Sequence, residues 1–457
     1  MTNNGSEKLY AAQEKIYPRE VKGRFQSLRN LAVIVLLGLY YLLPWLHWDG
    51  HQAVLFDLPA RKFYIFSLTF WPQDFYYLTW LLFIAAITLF LTTAVAGRLW
   101  CGYACPQTVW TEIFIWMERW VEGDRNRQMK LDKSPWNANK IWRKSLKQLL
   151  WIGFSAWTGF TFVGYFTPVT ELGKELIAFN LGPWETFWII FYGFATYGNA
   201  GFMREQVCKY MCPYARFQSA MFDHDTLIIS YDEKRGEQRG HRKRGVKPAE
   251  AGLGDCIDCY QCVHVCPTGI DIRDGLQYEC IACGACIDAC NNVMEQMDYP
   301  RNLIRYTTEN AMKTGVTRIL RPRLVFYTVI WAAAILGFLV TVTQRVPLDL
   351  DVIRDRNALY QMVDAETVEN VYTLKLMNKD RVPHDYRVSA SGIPGIATVP
   401  SETTVEVAAG EVYNLALRVR APLTSIQRMS SKIEFRVVSM DNEAQSTSEP
   451  TRFLAPL

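Results

Sequence analysis

Between Cys256 and Cys290 the chain places eight of its twelve cysteines in two matched runs, and no other stretch restricts the fold so tightly. The first run is CIDCYQCVHVCP, with Cys256, Cys259, Cys262 and Cys266 ahead of Pro267. The second is CIACGACIDAC, with Cys280, Cys283, Cys286 and Cys290. Each follows C-x-x-C-x-x-C-x-x-x-C, in which three close thiolates grip one iron-sulfur cube and the fourth reaches a neighbouring cube. That rule assigns Cys256, Cys259, Cys262 and Cys290 to one [4Fe-4S] cluster, and Cys266, Cys280, Cys283 and Cys286 to a second. Zinc sites and disulfide frameworks also use C-x-x-C pairs, but tetrahedral zinc gives no reason for a repeated three-plus-one pattern. His264 reads as a solvated spacer rather than a ligand. Between the runs, GIDIRDGLQY carries Asp274-Gly275, a two-residue hairpin signal that predicts two short strands drawing the runs together.

Hydrophobic residues make up 50% of the 457, yet mean hydropathy is −0.03, so apolar spans must alternate with polar regions. Five apolar runs have about the twenty residues that cross a hydrocarbon core: 31–48, 75–96, 149–167, 184–202 and 324–342. Trp45, Trp48, Trp71, Tyr76, Trp151, Trp184 and Trp188 crowd their ends, as an interfacial belt does. The first run starts late and lacks a small-residue cleavage site, which favours an uncleaved helix over a signal peptide. Lys and Arg concentrate in the 1–30 tail, in 98–147 and between Arg204 and Arg323, while 49–74 and 168–183 are poor in them. The positive-inside rule therefore puts the N-terminus and every cysteine on the cytoplasmic side, with the last span exporting the C-terminal region. A reducing compartment suits that cysteine distribution.

The predicted organisation is a tail (1–30), a four-helix membrane domain (31–222), a basic linker (223–250), a double ferredoxin domain (251–300), a connector (301–323), the fifth span (324–342) and a separate β-domain (346–457). Alternating segments such as VYTLKLMN, YRVSAS and KIEFRVVS predict an antiparallel sandwich in that last part. The basic run RGHRKRG reads as a solvated face or headgroup contact, and no nucleic-acid motif accompanies it. Only His47 and His51 lie near a span, so paired axial haem ligands are not offered, and no nucleotide-binding loop is present.

The remaining cysteines repeat among themselves. WCGYACP places Cys101 and Cys105 just inside the second span, and VCKYMCP places Cys208 and Cys212 just inside the fourth. If the helices continue through them, each pair shares one face at i and i+4, and Pro106 and Pro213 mark where the helix breaks. The chemistry of such a site is to bind a soft ion such as Cu(I) or to pass electrons; isolated cysteines as buried small hydrophobes are the plainer alternative. Met203 and Met211 stand nearby as further soft ligands or as packing.

In this order of motifs, with WCGYACP, VCKYMCP, DTLIISYDEKRGE, the cysteine runs, one more helix and a C-terminal β-domain, the chain resembles the FixG/RdxA/CcoG family of cytochrome c oxidase accessory proteins. The resemblance covers essentially the whole chain. It implies a bacterial inner-membrane protein with an immunoglobulin-like C-terminal domain in the periplasm and a role in cbb₃-type oxidase maturation. It further implies an oxidoreductase that reduces Cu(II) to Cu(I), with Cys101, Cys105, Cys208 and Cys212 as candidate copper or redox thiolates. The expected partners are membrane lipid, a cytoplasmic electron donor, and copper-delivery and oxidase-assembly proteins, with a homo-oligomer left open. Two other readings remain at this point: a quinol-linked conduit to a periplasmic partner, and a redox-sensing assembly scaffold. Asn291 stands where the first run has Pro267, a departure from strict symmetry.

Overall fold

A computed structural model describes residues 15–456, apart from 49, 247, 249–251, 319, 356–357, 402 and 443. Residues 1–14 of the predicted tail and parts of the basic linker therefore lie outside the described residues. The chain divides into two compact units, one of residues 1–67 and 75–335, the other of 68–74 and 336–457.

In the first unit, α1 (Arg24–Leu42) begins seven residues before the expected span. The reason is a buried ion pair: Arg29, taken from sequence as part of a basic tail, donates to Glu112 at 2.7 Å. Next come α2 (Phe75–Ala96), the short α3 (Leu99–Tyr103), α4 (Pro106–Glu122), α5 (Ala138–Val163) and α6 (Pro183–Thr196). After α6 the helix continues in the wider π form over Tyr197–Met203, and a second π segment covers Val207–Met211 before α7 (Pro213–Ala220). Among the described residues three helical stretches are long and apolar enough to cross a membrane: Arg24–Trp45, Pro72–Ala96 and Pro322–Thr343. The last is helix α10. The expected spans 149–167 and 184–202 fall on α5 and on α6 with its π continuation. These two pack closely: a Cβ on Gly159 would run into the carbonyl oxygen of Ile189. Leu149, Ile152, Ile190 and Phe194 are exposed on their outer faces.

The cysteine runs fold around α8 (Gln261–His264) and α9 (Ala285–Gln296), flanked by an antiparallel pair, β1 (Ile228–Tyr231) and β2 (Ile304–Thr307). Ile229 lies opposite Tyr306 in that pair. Segments expected as linker and connector thus contribute strands, because Ile229, Tyr231, Leu303 and Ile304 bury against Ile287 and Met294. The expected hairpin at Asp274-Gly275 does not form. Ile272–Asp274 is one 3₁₀ turn instead, capped by Asp271, which accepts from the Arg273 N–H at 3.0 Å. A local side-chain acceptor competes successfully with strand pairing there.

Helix α10 (Pro322–Thr343) leads to the second unit. Its sandwich comprises β3 (Leu348–Arg354), β4 (Thr367–Asn378), β5 (His384–Ser391), β6 (Ala397–Val399), β7 (Thr403–Val407), β8 (Val412–Pro422), β9 (Ser430–Ser439) and β10 (Ser446–Leu454). One sheet runs β6-β8-β4-β3, with Gln361–Met362 also paired to β4, and the other runs β7-β5-β9-β10. Alternate residues point inward, so Tyr372, Leu374 and Leu376 of β4 meet Phe435 and Val437 of β9 in a dry core.

Candidate functional site

The repeated cysteine runs fold into repeated backbone. Asp258 (φ 53°) and Ala282 (φ 52°) occupy the same place in the two runs, as do Tyr260 (φ 55°) and Gly284 (φ 78°). These left-handed residues turn successive amides inward, a geometry that favours negative charge. N–H groups of Gln261, Ala282 and Ala285 donate to the sulfurs of Cys259, Cys280 and Cys283, each from two residues further along the chain. Cys256, Cys259, Cys262 and Cys290 line one pocket. Cys266, Cys280, Cys283 and Cys286 line another, together with Cys262. All twelve cysteines are free thiols.

These pockets fit iron-sulfur clusters. Four thiols face each space, with amide donors to the sulfurs and an apolar shell of Ile229, Ile272, Ile287 and Met294. Burial pushes the thiols of Cys262, Cys280 and Cys290 up to about 12, so binding iron must release their protons. Arg273 lies against the first set, held by Asp271 and Asp258 at 2.6 Å each. His264 is not among the residues lining either pocket, and its carbonyl accepts the Arg19 N–H at 2.8 Å.

The second cysteine set differs from its sequence expectation. The α2 helix stops at Ala96, Gly97 takes φ 54°, and Cys101 sits on the separate α3. Cys105 and Cys212 are extended residues capping α4 and α7, so the chain breaks there and Pro106 and Pro213 begin the helices that follow. Proline suits that first position because its missing N–H would be unpaired there in any case. Cys208 lies in the second π segment, whose wider turn carries the Cys212 N–H to Val207 O at 2.8 Å.

Hydrogen bonds join the two motifs. The Cys101 thiol donates to Gln218 Oε1 at 3.3 Å, and the Gln107 amide donates to Asn199 O at 2.9 Å and Arg204 O at 3.0 Å. Arg98 donates to Ala215 O, and Thr108 Oγ1 donates to Cys101 O at 2.5 Å. The four sulfurs thereby come within electrostatic reach of one another. Met211 is exposed.

The two thiol sets also meet. Cys101 packs in one apolar cluster with Val265, Ile281, Cys283, Ala285 and Ala289. Tyr103 donates its hydroxyl to Cys283 O at 3.1 Å, and Gly102 approaches so closely that a Cβ would lie 2.7 Å from Ile281 O. The sequence offered no signal for this seam except that Gly102 is the smallest residue of WCGYACP. Arg29, Arg98, Glu112, Gln107 and Gln218 were likewise missed; of these, Arg98, three residues before Cys101, and Gln107, directly after Pro106, stand near a motif.

Comparison with known proteins supplies the context. Residues 203–309 match a 4Fe-4S dicluster domain and 78–127 a 4Fe-4S binding domain, while 338–456 match the IG-like fold at the C-terminus of FixG. Protein RdxA of Cereibacter sphaeroides is 41% identical over 407 residues, covering 86% of this chain and 85% of its own. The nitrogen fixation protein FixG of Rhizobium meliloti is 39% identical over 423 residues, covering 84% and 81%. A crystal structure of a FixG-related protein from Vibrio parahaemolyticus is 32% identical, covering 24% of this chain and 98% of that one, with a TM-score of 0.22.

Proposed function

The chain belongs to the FixG/RdxA family, and from that premise we propose that it is a membrane-anchored iron-sulfur oxidoreductase that serves cbb₃-type oxidase maturation by reducing Cu(II) to Cu(I). The observation that carries the electron route is the apolar cluster that Cys101 and Cys283 share. When bound, the clusters supply one-electron transfer, and each electron converts one Cu(II) substrate to Cu(I). The chain's residues do the rest. Cys256, Cys259, Cys262 and Cys290 hold one [4Fe-4S] cluster and Cys266, Cys280, Cys283 and Cys286 the other. Ile229, Ile287 and Met294 exclude water, and the α3 seam carries charge toward Cys101, Cys105, Cys208 and Cys212, where the electron leaves. Soft thiolates there favour the reduced ion over the oxidised one.

Two further pieces of the reading follow from the helices. The α5 helix and the α6 helix with its π continuation complete five spans, supported by their exposed apolar faces and by the Gly159 contact. The Lys/Arg distribution then puts the clusters in the bacterial cytoplasm, open to a soluble donor. It puts the sandwich in the periplasm, where copper-delivery and oxidase-assembly proteins dock. The test is anaerobic: the reduced protein is mixed with Cu(II), and cluster oxidation and Cu(I) formation are followed together. Equal rates are expected, and clusters that stay reduced would remove copper as the acceptor.

A further inference from the structure

We infer that the groove between the start of α1 and the end of α4 binds an anionic phospholipid, whose phosphate lies between Lys22 and Arg119. Nothing in the electron route uses this groove, and the choice of final acceptor does not affect it.

The groove has a volume of about 710 Å³, within the roughly 300–1,000 Å³ of ligand sites. Lys22, Gln26 and Asn30 form one wall, and Trp116, Arg119 and Trp120 the other. It lies at the basic end of Arg24–Trp45, a stretch long and apolar enough to cross a membrane, and the ends of such helices stand at headgroup level.

Charge selects the sign of the occupant. Among the described residues neither Lys22 nor Arg119 pairs with a carboxylate, and Arg119 Nε is buried without a hydrogen-bond partner. The nearby carboxylates are engaged elsewhere. Glu112 accepts from Arg29 at 2.7 Å and from the Trp116 indole N–H at 3.0 Å, and Asp288 accepts the Gln26 N–H at 2.8 Å. Glu20 also lines the groove, but it is exposed to water at the rim. Two cations against one solvated carboxylate favour an anion, and a guanidinium fork beside a lysine point charge suits a phosphate.

The walls change from polar to apolar in the order that a lipid requires. Ser27 and Asn30 line the groove, and one turn further along the same face of α1 stand Leu31 and Ile34, 57% and 62% exposed. Trp120, 77% exposed, offers an indole of the kind that settles among headgroups. A soluble anion would leave that apolar continuation bare, whereas an acyl chain covers it. The same segment rests on the cysteine module: Asn292 Nδ2 donates to Lys22 O at 2.9 Å, so a bound headgroup braces the chain against α9, which carries Cys286 and Cys290.

The experiment uses the full chain in detergent, stripped of lipid and titrated with phosphatidylglycerol or phosphatidylcholine of matched chains, with bound lipid counted by native mass spectrometry. One phosphatidylglycerol per chain should bind in preference to phosphatidylcholine, and inorganic phosphate at matched concentration should not displace it. K22Q should weaken that lipid about fivefold and K22Q/R119Q about 25-fold, the factor that each basic group near a headgroup contributes. R24Q, at an exposed neighbour outside the groove, should leave it unchanged. Equal binding of the two lipids would overturn the proposal, as would equal losses in R24Q and K22Q, which mark a general surface attraction. Displacement by inorganic phosphate would make the groove a site for free anions and overturn it too. Lys22 is exposed, so the comparison of K22Q with R24Q decides even if the double variant fails to fold.

Discussion

Arg29 is 4% exposed and Glu112 2% exposed, and they face one another at 2.7 Å beside the second cysteine run. Removing one member strands the other charge in the interior, a change that costs about 3–5 kcal/mol. The electrostatic consequence has a sign. Arg29 acts on Cys283 and Cys266, so Arg29→Met removes a positive charge that favours an added electron, and the reduction potential of that centre should fall. Glu112→Gln should raise it. Redox titration of the two variants checks this, and shifts of the same sign would leave the pair a packing role only. In the sandwich, burial opposes charging of His384, but hydrogen bonds at 3.1 Å to Asp380 and to Asp441 prevail and raise its pKa. A raised folded value stabilises fully below the unfolded value of about 6.5 and is lost as pH climbs through the folded value. The wild type should therefore lose stability relative to His384→Gln as pH rises from about 6 to 8, as read by denaturant midpoints at each pH. At this scale the sequence told much about cysteines, whose chemistry is carried by spacing, and little about Arg29 or Arg98. A charge reads as a solvated face or an inside-positive signal until packing shows that it is buried.

Whole elements obey the same division. The apolar runs at 75–96 and 324–342 are legible because a long uncharged stretch has one economical fate, and α2 and α10 coincide with them within two residues. Breaks inside the membrane-edge motifs are not. Sequence placed helix breaks at Pro106 and Pro213 but carried the helices unbroken up to them, whereas the chain already turns at Gly97 and is extended at Cys105 and Cys212, so each proline starts a new helix. Proline states that a helix boundary is near; which side it falls on depends on whether the preceding chain has already turned. The α3 element exists to bring Gly102 onto the second cysteine run, so Gly102→Ala forces a carbon to 2.7 Å from Ile281 O and to 3.0 Å from Cys283 Cα. Both neighbours are backbone and cannot rotate away. The variant should keep the iron of the ferredoxin runs but pass electrons to an acceptor at least tenfold more slowly, as stopped-flow reoxidation of the reduced protein measures. On α5, Gly159→Leu meets Ile189 O and Gly193 N in the same way and should lower the yield of folded protein in detergent, which size-exclusion profiles report.

Across the whole chain, hydropathy separated an apolar helical part from a β-rich one because each relies on a different way of satisfying backbone polar groups. What hydropathy could not reveal is that 228–231 and 304–307, far apart in sequence, pair to close the cysteine module, since short strands gain their meaning only from a distant partner. The asymmetric placement of Lys and Arg yields a prediction at this scale alone, that the cysteine module and the sandwich face opposite compartments. Lys144 and Lys147 do not weaken it by pairing with Glu122 at 2.9 and 3.1 Å, because acidic residues contribute little to the rule. Two exposed positions report the outcome, Lys234 before the cysteine runs and Ala444 in the turn ahead of β10. In intact cells with a permeabilised outer membrane, Ala444→Cys should react with a membrane-impermeant maleimide, and Lys234→Cys should react only after the inner membrane is breached, each judged against the wild-type background. Labelling of Lys234→Cys in intact cells would place the cysteine module outside. It would leave the clusters without a cytoplasmic donor and reverse the direction in which electrons cross from the cysteine runs to α3.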